Sequence, residues 1–260
     1  MLEKDTRKKF DSRKKQRARE VTKVNQINNH IFKEETIMSK NITEIVYILD
    51  RSGSMSGLEG DTIGGFNAMM EKQKKTGKDA VVSTVLFDDV CEVLHDRAPI
   101  ESVKKMTNKQ YYVRGCTALL DAVGGAIHHI GRLHKKMGDD RPEKTIFVIT
   151  TDGMENASHK YSYEKIQKII KRKEEKYGWE FIFIGANIDA IAEASRIGIK
   201  ADRSVNYIND SVGIKNVYKS VSKAVCSVME AGCAAEVKGC MAKSAWDEDV
   251  REDYNKRNRR

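Results

Sequence analysis

Two carboxylates and three hydroxyls stand in this sequence where they could hold a hard divalent cation. Asp50-Arg51-Ser52-Gly53-Ser54 follows directly on the apolar run Ile45–Leu49. Gly115-Cys116-Thr117-Ala118 opens a long helix-period segment, and Thr151-Asp152-Gly153 closes a second apolar run. Asp50, Ser52, Ser54, Thr117 and Asp152 offer only oxygen and only two formal charges, a donor set suited to Mg²⁺ or Mn²⁺. Ser52 and Ser54 alternate with Arg51 and Gly53. An extended turn therefore aims both hydroxyls the same way, and Gly53 permits a tight backbone path. With so few charges around it, the ion would stay electrophilic and keep a position open for an outside oxygen.

Such a set works only if its three segments converge, and the elements around them make that possible. From Thr43 onward, apolar β-rich runs at 44–49, 80–87, 145–151 and 179–185, with a weaker one at 204–208, alternate with helix-period segments. Helices are expected over Leu58–Lys75 and Ala118–Lys136, and at 161–176, 188–197 and 211–231. In the second of these Leu120, Val123, Ile127 and Ile130 recur at three- and four-residue spacing to make one buried stripe. Strands apolar on both faces, separated by amphipathic helices, imply an α/β fold. It is a Rossmann-like, doubly wound and mostly parallel sheet with helices on both faces. Val81–Phe87 and Cys91–His95 are separated by too few residues for a crossover, so they predict a hairpin and one antiparallel edge strand. In such a sheet ligands collect beyond the carboxyl ends of the strands, where Asp50 and Asp152 are placed.

The Asp-x-Ser-x-Ser run, the later Thr in a Gly-x-Thr-Ala context and the final Thr-Asp-Gly, in that order with helices between, resemble the metal-ion-dependent adhesion site of von Willebrand factor type A domains. The resemblance in strand and helix order runs from about Asn41 to about Glu230. The form Asp50-Arg51-Ser52-Gly53-Ser54-Met55 is closer to intracellular and prokaryotic members than to the Asp-Gly-Ser form of animal adhesion receptors. The resemblance implies that Ser52, Ser54 and Thr117 offer hydroxyls to Mg²⁺ or Mn²⁺, and that Asp50 and Asp152 hold the ion directly or through water. It also implies a protein-binding module rather than an enzyme, with a partner that supplies a Glu or Asp carboxylate to the metal.

Charge and composition bound the alternatives. Residues 1–40 hold twelve Lys/Arg against six Asp/Glu, so they carry +6 of the formal +9 and leave +3 for the other 220 residues. This basic arm, residues 1–38, contains two aromatics, Phe10 and Phe32. That composition suits a disordered extension, a basic docking arm or a packed helix, and it gives little support to specific nucleic-acid readout. Met38-Ser39-Lys40 just before the first strand looks like a translation start, so the arm is expected to contribute nothing to the fold. A domain over residues 39–232 and a polar tail over residues 233–260 complete the expected organisation. No apolar run reaches the roughly 20 residues of a membrane span. The odd number of scattered cysteines argues against a disulfide framework and for a cytoplasmic protein.

Taken singly, each candidate has an ordinary reading. Asp50 and Asp152 could be strand-end or cap residues, Ser52 and Ser54 turn residues, and Thr117 a helix N-cap. Glu155 and Asn156 are read as structural or as tuning the site, Cys116 as a small packed residue and His134 as a core histidine. His128 and His129 are expected in solvent. Cys226, Cys233 and Cys240, seven apart, are expected on one packed helix face rather than on zinc. A nucleic-acid protein acting through the arm is one alternative function. A Mg²⁺-dependent phosphatase with Asp50 as nucleophile is another, but it needs an acid/base two residues on, where Ser52 stands.

Overall fold

The computed structural model describes residues 42–258; the basic arm lies outside the described residues. Six strands form one sheet in the order β3-β2-β1-β4-β5-β6. They are β1 (Thr43–Asp50), β2 (Ala80–Phe87), β3 (Cys91–Pro99), β4 (Lys144–Thr151), β5 (Glu180–Gly185) and β6 (Ser204–Asn206). Every pairing is parallel except β2 with β3, which is antiparallel. The α/β sheet with one reversed edge strand is therefore as the residue pattern implies. The order runs outward from β1 to β3 on one side and from β4 to β6 on the other, so the topological switch point lies between β1 and β4.

Alternation along the strands divides the core in two. Ile45, Tyr47 and Leu49 of β1 face α1 (Glu59–Lys74) and α5 (Ser211–Glu230), where Phe66, Met69, Val221 and Val225 are buried against them. Val46 and Ile48 face α2 (Leu119–Met137), α3 (Tyr163–Tyr177) and α4 (Ala190–Arg196). The five expected helices form within two residues of their predicted ends.

The tail departs from expectation. Residues 233–260, read as a polar tail, contain α6 (Ala234–Ser244) and α7 (Glu248–Arg257). Val237, Met241, Trp246 and Val250 from this region join the α1/α5 core. Only one apolar stripe of each short helix is buried, so the average composition reads as polar while the packed face does not. Arg251 donates from Nη2 to the carbonyls of Ser204 and Ala201 at 2.8 and 3.1 Å, which ties α7 to the β6 edge. The three C-terminal cysteines do not share a helix face: Cys226 lies on α5, Cys233 precedes α6 and Cys240 is within it, because α5 ends at Glu230.

Candidate metal centre

The three candidate segments meet at the carboxyl edge of the sheet, across the switch point. Asp50 ends β1. Its Oδ1 accepts from the Ser52 amide at 2.7 Å and its Oδ2 from the Thr151 hydroxyl, at the end of β4, at 2.5 Å. Ser52 turns the chain into a short 3₁₀ segment, Gly53–Met55. This turn, 3₁₀-helical rather than the extended one expected, brings Ser52 Oγ and Ser54 Oγ to 3.1 Å from each other. Ser54 Oγ in turn donates to Asp152 Oδ1 at 2.5 Å. Asp50, Ser52, Thr117 and Asp152 are all at most 3% exposed, while Ser54 is open to solvent.

Thr117 arrives on a separate loop. Gly115 has φ +67° and a Cβ there would lie 2.0 Å from Asp89 Oδ1, so glycine suits both the left-handed backbone and the close approach to the Asp89 side chain. Gly53 N–H donates to Gly115 C=O at 3.2 Å, and Arg114 N–H to Arg51 C=O at 2.9 Å, so the Thr117 loop is laced to the Asp50 loop. The cap reading of Thr117 fails: helix α2 starts at Leu119 with no side-chain cap from its preceding residue. Glu155 Oε2 accepts from Leu120 N–H at 2.8 Å instead, and Ser158 Oγ from Asp121 N–H at 3.0 Å. Asn156 pairs with the Thr117 backbone in both directions, at 2.9 and 3.1 Å. Glu155 and Asn156 thus bind the Asp152 loop to the Thr117 loop, which is the structural reading of the pair.

The space between the donors is visible at Gly153. A Cβ built there would fall 3.1 Å from Thr117 Oγ1 and 3.5 Å from Ser54 Oγ. A side chain at position 153 would thus sit among the hydroxyls of two candidate segments, and glycine leaves that space open. Among the described residues there is no cluster of three or more His, Cys, Asp or Glu that would mark a metal site by those residue types alone. That is what a set of two carboxylates and three hydroxyls entails.

Electrostatics point the same way. Burial pushes the Asp152 carboxyl up to about 6, against the hydrogen bond from Ser54 and helped by the negative charge of Asp50. Burial raises Asp50 as well, against hydrogen bonds from Thr151 and Ser52. Two desolvated carboxylates facing neutral hydroxyls, with no cationic side chain among the described residues in contact with either, fit a divalent cation.

Arg51, inside the Asp-x-Ser-x-Ser run, is fully buried and turned away from these donors. Its Nε lies 2.9 Å from Asp88 Oδ2 and its Nη1 2.8 Å from Glu92 Oε2. Arg114 Nε reaches the same Asp88 oxygen at 2.7 Å. Although burial opposes it, Asp88 is held below the usual carboxylate range by the Arg114 hydrogen bond and the charges of both arginines.

Several contributors escape a reading of the sequence alone. Thr151 lies within the Thr-Asp-Gly motif but binds Asp50, not a neighbour in sequence. Asn209, on the loop before α5, donates from Nδ2 to Asp152 Oδ2 at 2.9 Å. Asn209-Asp210-Ser211 reads only as a helix-start signal, and Asp210 does cap α5. Tyr111 donates its hydroxyl to the Asp50 carbonyl at 2.6 Å. Cys116, expected to be packed, is exposed.

No family model matches the chain, and no curated protein matches it significantly. Among solved structures it is similar to proximal thread matrix protein 1 from the mussel byssus. The identity is 15% and the TM-score 0.51, over 72% of this chain and 47% of that one, so the chain spans about half the length of that protein. What the two share is the fold, a mostly parallel α/β sheet with helices on both faces. Lower scores relate it to the PilB minor pilin from Streptococcus sanguinis (12% identity, TM-score 0.48, 70% of this chain and 61% of that one). They also relate it to the manganese-loaded TRAP protein of Plasmodium vivax (14% identity, TM-score 0.46, 69% and 74%). At such identities the likeness is one of fold.

Proposed function

We propose that this protein is a divalent-metal-dependent protein-binding module. Asp50, Ser52, Ser54, Thr117 and Asp152 hold one Mg²⁺ or Mn²⁺, and the ion accepts a Glu or Asp carboxylate from a protein partner. The observation that carries this reading is the Ser54–Asp152 hydrogen bond beside the Ser52–Ser54 contact, which joins residues from two segments on one face of the switch point. Two carboxylates and three neutral hydroxyls leave an octahedral ion with a free position and residual positive charge, so an incoming carboxylate is favoured. Exposed Ser54 marks the side open to such a partner.

The reading includes no hydrolysis. Both Asp50 oxygens already accept hydrogen bonds, from Ser52 and Thr151, and position 52 offers a hydroxyl where a phosphatase needs an acid/base. The five cysteines are all unpaired, which suits the reducing cytoplasm in which we place the module.

Calorimetric titration of Mn²⁺, with and without acetate standing in for the partner's side chain, tests the proposal. The wild type should bind Mn²⁺ modestly and more tightly with acetate. Asp50→Ala and Asp152→Ala should abolish the heat while the far-UV spectrum is kept. Binding that survives Asp50→Ala would overturn the assignment.

A further inference from the structure

At the end of α2 and α3 remote from the candidate metal centre, a groove of about 450 Å³ is lined by Arg132, Lys135, Arg141, Arg172, Lys173 and His134, with no acidic side chain among its lining residues. The near-neutral body of the protein therefore concentrates five cations in one place. Among the described residues Arg132, Lys135, Arg172 and Lys173 form no salt bridge, and the carboxylate nearest Arg141 is that of Asp139, at 4.0 Å. Like charges gathered in a concavity repel one another, and an arriving anion relieves that repulsion.

The groove has a built wall, in which lining side chains are held by packing rather than extended into solvent. Lys173 does not extend into solvent: its Nζ lies 4.2 Å from the Trp179 ring and 4.8 Å from the Tyr177 ring. Gly131 makes room for it, since a Cβ at that position would fall 2.7 Å from Lys173 Nζ. His134, 5% exposed, lines the same groove. Its Nε2 lies 3.1 Å from Glu44 Oε2, which fixes the ring in the groove wall. Burial, and then the neighbouring Arg172, lower the Lys173 ammonium from its ordinary value.

We propose that this groove is a binding site for a compact, multiply charged phosphate anion, either a free phosphate chain or the phosphates of a nucleotide. Three guanidinium forks suit phosphate oxygens in pairs, and the two ammonium groups add charge without geometric demand. The volume is that of a small-molecule site. Single-stranded nucleic acid is the poorer fit because it needs open aromatic faces for stacking. Here Trp179 is 3% exposed, stacked on Phe147 and covered by Lys173.

The test is calorimetric titration of the full chain with inorganic tripolyphosphate and, separately, with ATP. It is run in chelator and in an Asp152→Ala background, so that no phosphate reports on the metal centre. Saturable one-to-one binding of either probe is expected. Arg132→Glu/Arg172→Glu, at exposed positions that leave the fold intact, should weaken it at least about tenfold. Lys104→Glu/Lys105→Glu, the same charge change elsewhere on the surface, should leave it unchanged. A tighter response to ATP than to tripolyphosphate identifies a nucleotide, and equal responses a phosphate chain; both support the site. Three results would overturn it: heats that never saturate, equal loss in the two double variants, or an oligothymidylate that binds more tightly than tripolyphosphate and is lost in the groove variant.

Discussion

Ser54 and Asp152, 98 positions apart in sequence, are joined by a 2.5 Å hydrogen bond from the serine hydroxyl to the carboxylate. Each belongs to a loop that leaves the carboxyl edge of the sheet, one from β1 and one from β4. Among the described residues this contact and the Asn209 amide are the side-chain donors on a carboxylate that burial has stripped of water.

The pH dependence of stability follows from that burial. The Asp152 carboxyl titrates at about 6 when folded, against an ordinary 3.8. The folded state therefore holds the proton more tightly, and this contribution to stability is fully present below about 3.8 and is lost as pH rises through about 6. Asp152→Asn keeps the neutral form at every pH. In chelator, its melting temperature should exceed that of the wild type by a margin that grows between about pH 4 and pH 6, levels off above that and corresponds to on the order of 2 kcal/mol. Saturating Mn²⁺ should reverse the order, since only the wild type binds it. A margin independent of pH in thermal scans would show that Asp152 ionises freely.

Gly153→Ala probes the space between the hydroxyls. The added methyl meets Thr117 Oγ1 at 3.1 Å and Ser54 Oγ at 3.5 Å, tight contacts that small shifts of the two side chains relieve, so stability should fall by no more than about 1 kcal/mol. Mn²⁺ affinity should drop at least about tenfold, because the hydroxyls can no longer converge. Calorimetry and urea unfolding on the same sample separate the two effects, and unchanged Mn²⁺ affinity would place the ion elsewhere.

Arg51→Met tests the buried ion cluster beneath the site. Arg51 and Asp88 are both fully buried, and removing the guanidinium leaves Asp88 with Arg114, whose side chain is 44% exposed, as its cationic partner. A buried charge deprived of a partner costs about 3 kcal/mol. Arg51 also holds the β2–β3 turn, whose Asp88 carbonyl accepts from Ala118 N–H at 2.8 Å beside Thr117. Urea unfolding should therefore show the loss in stability, and Mn²⁺ titration a weaker site without loss of any proposed ligand.

Much of this arrangement is legible in the sequence, for reasons that differ by element. Strands β1, β4 and β5 are buried on both faces, so their apolar runs stand out, and α2 carries an uninterrupted stripe. The hydroxyl spacing of Ser52 and Ser54 survives in three dimensions because a single short turn holds both. Asn209 and Thr151 could not be found this way. Their roles come from contacts across the sheet edge, and neither has a spacing relationship to its partner. The basic groove is equally hidden, since Arg132 and Arg172 look like solvated helix positions until α2 and α3 are packed together. The C-terminal helices were lost to averaging, because four apolar side chains are spread among many charged ones.

Trp246→Ala measures what those helices contribute. Trp246 is 3% exposed and lies in one core cluster with Met241 and Val250 of the flanking helices and with Val225 and Val228 of α5. α7 is also held from outside the core: Lys219 and Lys223 of α5 pair with Asp249 at 3.0 and 2.5 Å, and Arg257 pairs with Asp210, the residue that caps α5. Exposed pairs of this kind contribute little singly, so the indole is the principal anchor. Deleting it from a packed site costs about 3–5 kcal/mol, from lost burial and the cavity left behind. Urea unfolding should show a single cooperative transition shifted by that amount, with α5 and the C-terminal helices melting together. A loss below about 1 kcal/mol, the usual range for a surface substitution, would mean that residues 233–258 are the loosely attached tail that their composition suggests.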